Sequence, residues 1–179
     1  MCSSSLNHDL VIEELSISHD VSAFSCGKPS LDVFLTKFAI SHPKQGLSRT
    51  WVAVKHSRIV AFYSLSFATV TNAGATIRVA KGTPRHDLPV ILLARLAVDQ
   101  ACQRQGLGSV VLEHALRRCV AMADAAQEAG AISLPVRAVL VHALDEEAAG
   151  FYEANGLERS PTDPLHLMAP VKDLKKLLA

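Results

Sequence analysis

A short loop containing two glycines is the local pattern in this 179-residue chain that points most directly to chemistry. It reads QRQGLGS and consists of Gln103, Arg104, Gln105, Gly106, Leu107, Gly108 and Ser109. Glycines at the start of a helix let a ligand approach the backbone, and the unpaired amides there favour a phosphate or pyrophosphate. The same residues are also compatible with a tight turn that binds no ligand. The Gly-Lys-Ser/Thr of a Walker A loop and the GxGxxG of a dinucleotide site are both missing.

The elements that must position this loop follow from the periodicity of the second half of the chain. Val90 to Val98 is almost continuously apolar and predicts a central strand that is buried on both faces. Helical spacing predicts a long helix from Gly106 towards Glu128. Arg137 to His142 predicts a second buried strand, and Asp145 to Ala154 a short helix that Asn155-Gly156 ends. The loop therefore connects a buried strand to a long helix.

The first half of the chain predicts a helix and a hairpin. Ser30 is the expected N-cap of an amphipathic helix that ends near His42-Pro43, because proline disfavours a helical predecessor. Thr71 to Pro89 predicts a long mobile loop. The other predicted strands are Leu10 to Ser16, the hairpin Thr50 to Lys55 with Ile59 to Val70, and Pro164 to Ala169, followed by a helical turn at Val171 to Leu178. This order predicts an α/β fold with a mixed sheet in one domain over residues 1–179.

The formal net charge of +1 conceals an uneven distribution. Residues 28–98 contain ten basic and two acidic side chains, whereas residues 1–27 carry −4 and residues 99–179 carry −3. A cationic block of +8 favours a polyanionic partner if its charges share a face. The alternative is that the charges point in different directions on a solvated surface.

Several other classes of protein are not expected. The apolar segments are too short to span a bilayer as a helix, and the opening residues lack the basic start and apolar run of a secretory signal. We therefore expect a cytoplasmic protein. Its four cysteines, Cys2, Cys26, Cys102 and Cys119, form no CxxC pair, so we expect free thiols and no metal site.

The residues around the loop also carry a family resemblance. ARLAVD (Ala94 to Asp99) followed by QxxGxG resembles the motif that binds the acetyl-CoA pyrophosphate in GNAT N-acetyltransferases. Four further segments are similar, in this order, to GNAT-type toxins of bacterial type II toxin-antitoxin systems, and they are FSCGKPSLDVFL, SRTWVAV, VHALDEEAAGFYEANGL and DPLHLM. Together these segments extend over nearly the whole chain, and they are more specific than the phosphate loop alone.

The resemblance implies a GNAT fold with helices on both faces of the sheet and acetyl-CoA in a V-shaped opening between the two central strands. The backbone of Leu96, Ala97 and Val98 would then pair with the pantetheine arm, and Gln103 to Ser109 would bind the diphosphate. Tyr152 matches the family's general acid towards the departing thiolate. A free phenol has a pKa of about 10 and a free thiol one of about 8.5, so complete proton transfer costs about 2 kcal/mol and a hydrogen bond is the safer interpretation. Alternatively, Tyr152 only packs beside Phe151.

The resemblance also implies an acceptor, the α-amino group of aminoacyl-tRNA, whose acetylation blocks translation. Candidate tRNA contacts are Lys28, Lys37, Lys44, Arg49, Arg78, Lys81, Arg85 and Arg95, although Arg95 is also a candidate for a structural ion pair. We do not assign a general base, because His114 and His142 are at positions where histidine is usually structural. The implied partners are a ribbon-helix-helix antitoxin and a second copy of the chain. The alternatives are a GNAT enzyme for a small-molecule or protein amine, or a non-catalytic acyl-CoA-binding module.

Overall fold

A computed structural model of the chain describes residues 9–41, 46, 48–130 and 134–179. Within these residues one mixed sheet has the strand order β1-β2-β3-β4-β5-β7-β6. Its strands are β1 (Val11–Glu14), β2 (Arg49–Lys55), β3 (Arg58–Val70), β4 (Leu88–Val98), β5 (Ala138–His142), β6 (Glu158–Arg159) and β7 (His166–Pro170). The α-helices are α1 (Pro29–Val33), α2 (Ile77–Ala80), α3 (Leu107–Glu128), α4 (Glu146–Ala154) and α5 (Val171–Leu177). The predicted α/β class with a mixed sheet is confirmed.

The strand pairings explain why the long helix is needed. β4 and β5 are parallel, with Val90 opposite Ala138 and Leu93 opposite Val141. Parallel strands need a crossover connection, and α3 provides it. β7 is antiparallel to both β5 and β6 and lies between them in the sheet. The two-residue strand β6 was not predicted, because two residues are too few to show a period.

The predicted hairpin is confirmed, with β2 and β3 each beginning one residue earlier than expected. His56 and Ser57 connect the two strands, and both have positive φ, at 49° and 61°. Positive φ at both central residues matches the right-handed twist of a hairpin. The sequence does not predict this type of turn, since neither residue is Gly, Asn or Asp.

Two predictions for the first 90 residues are wrong in part. The N-cap of α1 is Lys28 and not Ser30, because Pro29 has the fixed φ that suits the first helical position. The predicted end of this helix at His42-Pro43 lies outside the described residues; the described part continues from α1 into a π-helical turn, Phe34–Phe38. The predicted loop from Thr71 to Pro89 contains a 3-10 turn and helix α2, which the hydroxyls of Thr71 and Thr76 cap.

The chain forms two compact units. The first comprises the chain up to Leu65 together with Arg95–Leu112, and the second comprises Ser66–Ala94 together with Glu113–Ala179. The single domain over residues 1–179 therefore stays a prediction. None of the helices in the described residues is both long and apolar enough to cross a membrane.

Each unit has its own apolar core. In the first unit, the ring of Phe62 is fully buried, with centroids 5.4 Å from Phe24 and 6.1 Å from Phe34. In the second unit, the core includes the buried side chains of Ala75, Val79, Leu88, Val90, Ala138, Leu140 and Met168. Val79 belongs to α2, so burial of this side chain helps to order a segment for which the sequence predicts a loop.

The buried aromatic cluster gives a test of the first core. We expect Phe62→Ala to lower the free energy of unfolding by about 3–5 kcal/mol, because the cavity cannot close around two fixed rings. Phe67→Ala is the matched control, since Phe67 lies on the same strand and is 55% exposed. Urea denaturation should show a loss below about 1 kcal/mol for the control. Equal losses for the two variants would contradict this view of the core.

Candidate active site

The predicted phosphate loop connects the end of β4 to the start of α3. A 3-10 turn, Gln100–Cys102, follows the strand, and the chain then reverses through Arg104 and Gly106, whose φ values are 58° and 82°. The amide of Val110 donates to the carbonyl of Gly106 at 3.3 Å, so the amides of the first helical turn have no acceptor within the helix. A Cβ at Gly106 would meet nothing within 4 Å. The loop therefore offers backbone donors at an open position.

The side chain of Gln103 ties the loop to neighbouring backbone by two hydrogen bonds. Its Nε2 donates to the carbonyl of Val98 at 2.8 Å and to the carbonyl of Cys26 at 2.9 Å. Gln105 makes a similar local bond, from Nε2 to the carbonyl of Ala101 at 3.2 Å. Both glutamine side chains are thus engaged with carbonyls of the protein. Anion binding by this loop would use the backbone amides and the exposed side chain of Arg104.

A buried carboxylate that the sequence analysis missed lies directly after β4. The side chain of Asp99 is 3% exposed, and it accepts hydrogen bonds from the amides of Ser25 at 3.2 Å and Ala101 at 3.0 Å. The guanidinium of Arg58 lies 3.1 Å from the same carboxylate. Asp99 is also joined through its own amide to the carbonyl of Val60 at 2.9 Å. A lone acid at the end of an apolar strand, directly after a basic region, is the signal that could have revealed it.

The segment CGKPSLD is held next to the end of β4 by backbone and side-chain hydrogen bonds. The amide of Gln100 donates to the carbonyl of Ser25 at 2.9 Å, and Asp32 accepts from the amide of Cys26 at 2.9 Å. Gly27 has φ +85°, and a Cβ there would come within 2.6 Å of the side-chain Nε2 of Gln100. Burial, with Asp32 nearby, raises the pKa of the Cys26 thiol to about 11. The thiol therefore stays protonated near neutral pH, as a packing group and not a nucleophile.

Tyr152, the predicted general acid, lies in α4 of the second unit. The side chain is 6% exposed, and its ring makes an edge contact with Phe151 at a centroid distance of 5.2 Å. Burial raises the pKa of the phenol well above its usual value. The contact with Phe151 is the one expected of a packing residue, whereas the raised pKa keeps the phenol protonated as a hydrogen-bond donor and makes it a weaker acid.

Helix α4 is fixed at both ends. Asp145 caps the first turn by accepting from the amide of Ala148 at 2.9 Å. At the other end, the Asn155 side chain donates to the carbonyl of Phe151 at 2.8 Å, and Gly156 has φ +90°. The predicted end of this helix is confirmed.

A guanidinium from β6 also braces α4. Arg159 contacts Glu146 at 3.0 Å and Glu153 at 2.8 Å, two carboxylates of the helix. The hydrogen bonds to Glu153 and Glu146 raise the pKa of Arg159, and the same arginine lowers the pKa of Glu153. Because these carboxylates are exposed, the pairs orient the helix more than they stabilise it.

The predicted tRNA contacts are divided between the two units. In the first unit, Lys28, Lys37 and Arg49 are exposed, and Arg49 lies 3.9 Å from Glu14. The guanidinium of Arg95 lies 3.8 Å from the ring centroid of Phe34, so its contact is a cation–π interaction. In the second unit, Lys81 and Arg85 are exposed, and Arg78 forms ion pairs with Glu158 and Asp173; Lys44 lies outside the described residues.

The two histidines that we did not assign as bases have environments of their own. His142 ends β5 and stacks on His166 with ring centroids 4.0 Å apart. Burial and the neighbouring His166 lower the pKa of His142, and burial with Arg118 lowers that of His114. Both rings are therefore mainly neutral near pH 7.

The buried carboxylate can be tested by a change that keeps its size. We expect Asp99→Asn to lower the free energy of unfolding by about 1–3 kcal/mol, because an amide turns a donor group towards donors and loses the charge that pairs with Arg58. Asp87→Asn is the control, since Asp87 is exposed. Hydrogen exchange should accelerate at the amides of Ser25 and Ala101 in the first variant only. Unchanged exchange at both amides would rule out this role for Asp99.

Known proteins resemble this chain both in one domain and over most of its length. The acetyltransferase (GNAT) domain family matches residues 46–159. A protein of Mycobacterium tuberculosis (strain ATCC 25618 / H37Rv) described as a tRNA-acetylating toxin is 46% identical over 164 residues, which is 92% of this chain and 93% of that protein.

Solved structures of a toxin called AtaT have the same fold. The complex of AtaT with acetyl-methionyl-tRNAfMet has a TM-score of 0.81 at 25% identity and covers 96% of this chain and 100% of AtaT. A tyrosine-to-phenylalanine mutant of AtaT, bound to acetyl-CoA and the C-terminus of the antitoxin AtaR, has a TM-score of 0.75 at 26% identity and covers 94% of this chain and 97% of the mutant. On the domain match and the identity to the tRNA-acetylating toxin, this chain belongs to the GNAT acetyltransferase family.

Proposed function

We propose that this enzyme transfers the acetyl group of acetyl-CoA to the α-amino group of aminoacyl-tRNA and acts as the toxin of a toxin-antitoxin pair. The observation that carries the proposal is the 46% identity to a tRNA-acetylating toxin over 92% of the chain. The GNAT domain family matches residues 46–159, and the similarity to the toxin extends well beyond that range. A charged tRNA as acceptor would make the reaction cytoplasmic.

The loop before α3 fits the diphosphate of acetyl-CoA. Its helix-terminal amides lack helical acceptors, Gly106 leaves open space, and Arg104 is exposed. Because Gln103 is engaged with the carbonyls of Val98 and Cys26, we infer that it positions the loop and that the amides of residues 105–109 bind the anion.

The end of β4 supports the proposed pantetheine contacts. The pairs between β4 and β5 run from Val90 to Leu93, whereas β4 continues to Val98. Leu96, Ala97 and Val98 thus lie beyond the last of these pairs, and we propose that their peptide groups pair with the pantetheine arm in a V-shaped opening. The carbonyl of Val98 already accepts a hydrogen bond from Gln103. We therefore propose that the amide of Val98, and not its carbonyl, contacts the acetyl thioester.

The reaction forms one C–N bond and breaks one C–S bond. The acetyl thioester supplies the activated carbonyl carbon, and the neutral amine of the aminoacyl ester attacks it. We propose that the Tyr152 hydroxyl donates a hydrogen bond to the sulfur as negative charge develops there. Since burial raises the pKa of this phenol, full transfer of its proton is less favourable than for a free phenol. The thiolate then receives the proton that the attacking amine loses, directly or through water.

The acceptor itself can be tested by where the acetyl group goes. Purified enzyme is incubated with labelled acetyl-CoA and charged tRNA, deacylated tRNA or a polyamine panel. We expect label in charged tRNA alone, with mass spectrometry showing acetyl on the aminoacyl group, and we expect activity to fall steeply with added salt because phosphate contacts dominate. Label in the polyamines with none in charged tRNA would refute the proposed acceptor.

The role of Tyr152 can be tested against the other tyrosine of the chain. We expect Tyr152→Phe to lower kcat by about 100-fold and to leave the KM for acetyl-CoA almost unchanged, because the lost hydrogen bond strengthens only as the thiolate forms. Tyr63→Phe is the matched control, since Tyr63 is fully buried and stacks on Trp51 at 5.3 Å.

A second readout tests the protonation of the phenol directly. Because the folded-state pKa is raised, Tyr152 should remain protonated at about pH 10, where a free phenol is half ionised. The phenolate absorbance of the wild type at that pH should therefore equal that of Tyr152→Phe. Unchanged kcat in Tyr152→Phe would exclude the catalytic role.

We also propose two partners by analogy with these relatives. One is a ribbon-helix-helix antitoxin, since AtaT binds the C-terminus of an antitoxin. The other is a second copy of this chain, as a homodimer. The basic side chains proposed to contact tRNA are Lys28, Lys37, Lys44, Arg49, Arg78, Lys81, Arg85 and Arg95.

A further inference from the structure

A cavity in the second unit is lined by four cationic side chains. Its volume is about 210 Å³, and the cations are Arg78, Arg137, Lys172 and Lys175. Among the described residues that line it, none carries a carboxylate. The cavity is therefore large enough for a small oxyanion and has the charge to attract one.

Arg137 is the most firmly held of the four. Its amide donates to the carbonyl of Pro89 at 2.9 Å, and its carbonyl accepts from the amide of Val171 at 3.0 Å. One terminal nitrogen, Nη2, donates to the carbonyls of Val79 and Lys81 at 3.3 and 3.0 Å. The Nε atom is buried, and within the described chain it has no hydrogen-bond partner.

An unpartnered buried N–H costs about 1–3 kcal/mol and calls for an explanation. Because Nη2 already donates to two carbonyls, the N–H groups left for an oxyanion are those of Nη1 and of the buried Nε, and Nε must move to reach the cavity. Guanidinium groups bind such anions with charge-assisted hydrogen bonds. The unpartnered Nε of Arg137, a residue that lines the cavity, is thus a second observation that favours an anion there, beside the charge of the cavity.

The four cations divide into those that are paired with carboxylates and those that are not. Arg78 is held by Glu158 and Asp173, and Lys175 by Asp124, so these two side chains have fixed positions. Arg137 and Lys172 form no ion pair within the described part of the chain. Their charges are therefore not compensated by a neighbouring carboxylate. An anion in this cavity would be that compensation.

We propose that this cavity binds a phosphate-type anion, with Arg137 and Lys172 as its principal ligands. The lining residues differ from those of the acetyl-CoA loop, and the two principal ligands, Arg137 and Lys172, are not among the proposed tRNA contacts, although Arg78 is. Two sources share this chemistry, a free phosphate and a phosphodiester of an RNA backbone. The experiment below separates them.

The test uses the full chain and inorganic phosphate as the probe. Phosphate is titrated into the labelled protein at constant ionic strength, with chloride as the balancing anion, and NMR shifts are followed at Arg137 and Lys172. We expect saturable shifts at these residues. Lys172→Gln should weaken phosphate binding about 3- to 5-fold, the loss expected for one exposed charge.

Lys176→Gln is the matched control, because Lys176 is an exposed lysine of the same helix and does not line the cavity. It should change the phosphate affinity by less than about 2-fold. Lys172 is preferred to Arg137 for substitution, since Arg137 also holds the end of α2. Equal losses in the two lysine variants, or shifts no larger than chloride produces, would overturn the proposal.

A competition arm identifies the source of the anion. A short RNA duplex is added at the same ionic strength to protein that is saturated with phosphate. Displacement of phosphate in the wild type, weakened by Lys172→Gln, supports a phosphodiester ligand. Retention of phosphate supports a free phosphate ligand.

Discussion

The first unit depends on the requirement that a buried charge be compensated. Asp99 is almost inaccessible to water, and an unpaired carboxylate in such a place would cost several kcal/mol. Two backbone amides and the guanidinium of Arg58 meet this requirement. Satisfying Asp99 therefore joins three distant parts of the chain: the start of β3, the segment before α1 and the end of β4. The loop that we propose to bind the diphosphate begins where these parts meet, next to the compensated carboxylate.

In the loop before α3, the side chains that hold the loop in place differ from the backbone groups that we propose to bind the diphosphate. Gln103 and Gln105 use their side chains to hold carbonyls of the protein, which leaves the backbone amides as the natural anion donors. Backbone donors fixed at a helix start would need little reorganisation to bind the proposed diphosphate. Gly106 is required for the backward turn of the chain, with its φ of 82°. In the second unit, the helix that carries Tyr152 is also held in place. Its two ends are capped, and Arg159 pairs with two of its carboxylates.

Charge in this protein is less available than its count implies. Of the ten basic residues in the cationic block, Arg58 pairs with Asp99, Arg78 with Glu158 and Asp173, and Arg95 covers the ring of Phe34. These contacts are structural, and they reduce the field that a polyanion would meet. Conversely, Arg137 and Lys172 lie outside the block and line a cationic cavity. The pairing of each charge and its position in the fold therefore decide which cations are open to an anion, and neither is visible in a linear charge sum.

The sequence alone determined the fold class, most elements and the family, because these depend on local pattern. The apolar run of β4, the helical period of α3 and the Asn155-Gly156 helix end are all set by near neighbours in the chain. Tertiary structure decided the rest. The order of α2 came from burying Val79 among residues distant in sequence. The N-cap of α1 is an exception, because the adjacent Pro29 sets it at Lys28 locally. The roles of Asp99, Gln103 and Arg137 rest on partners up to 77 residues away, which no local pattern encodes.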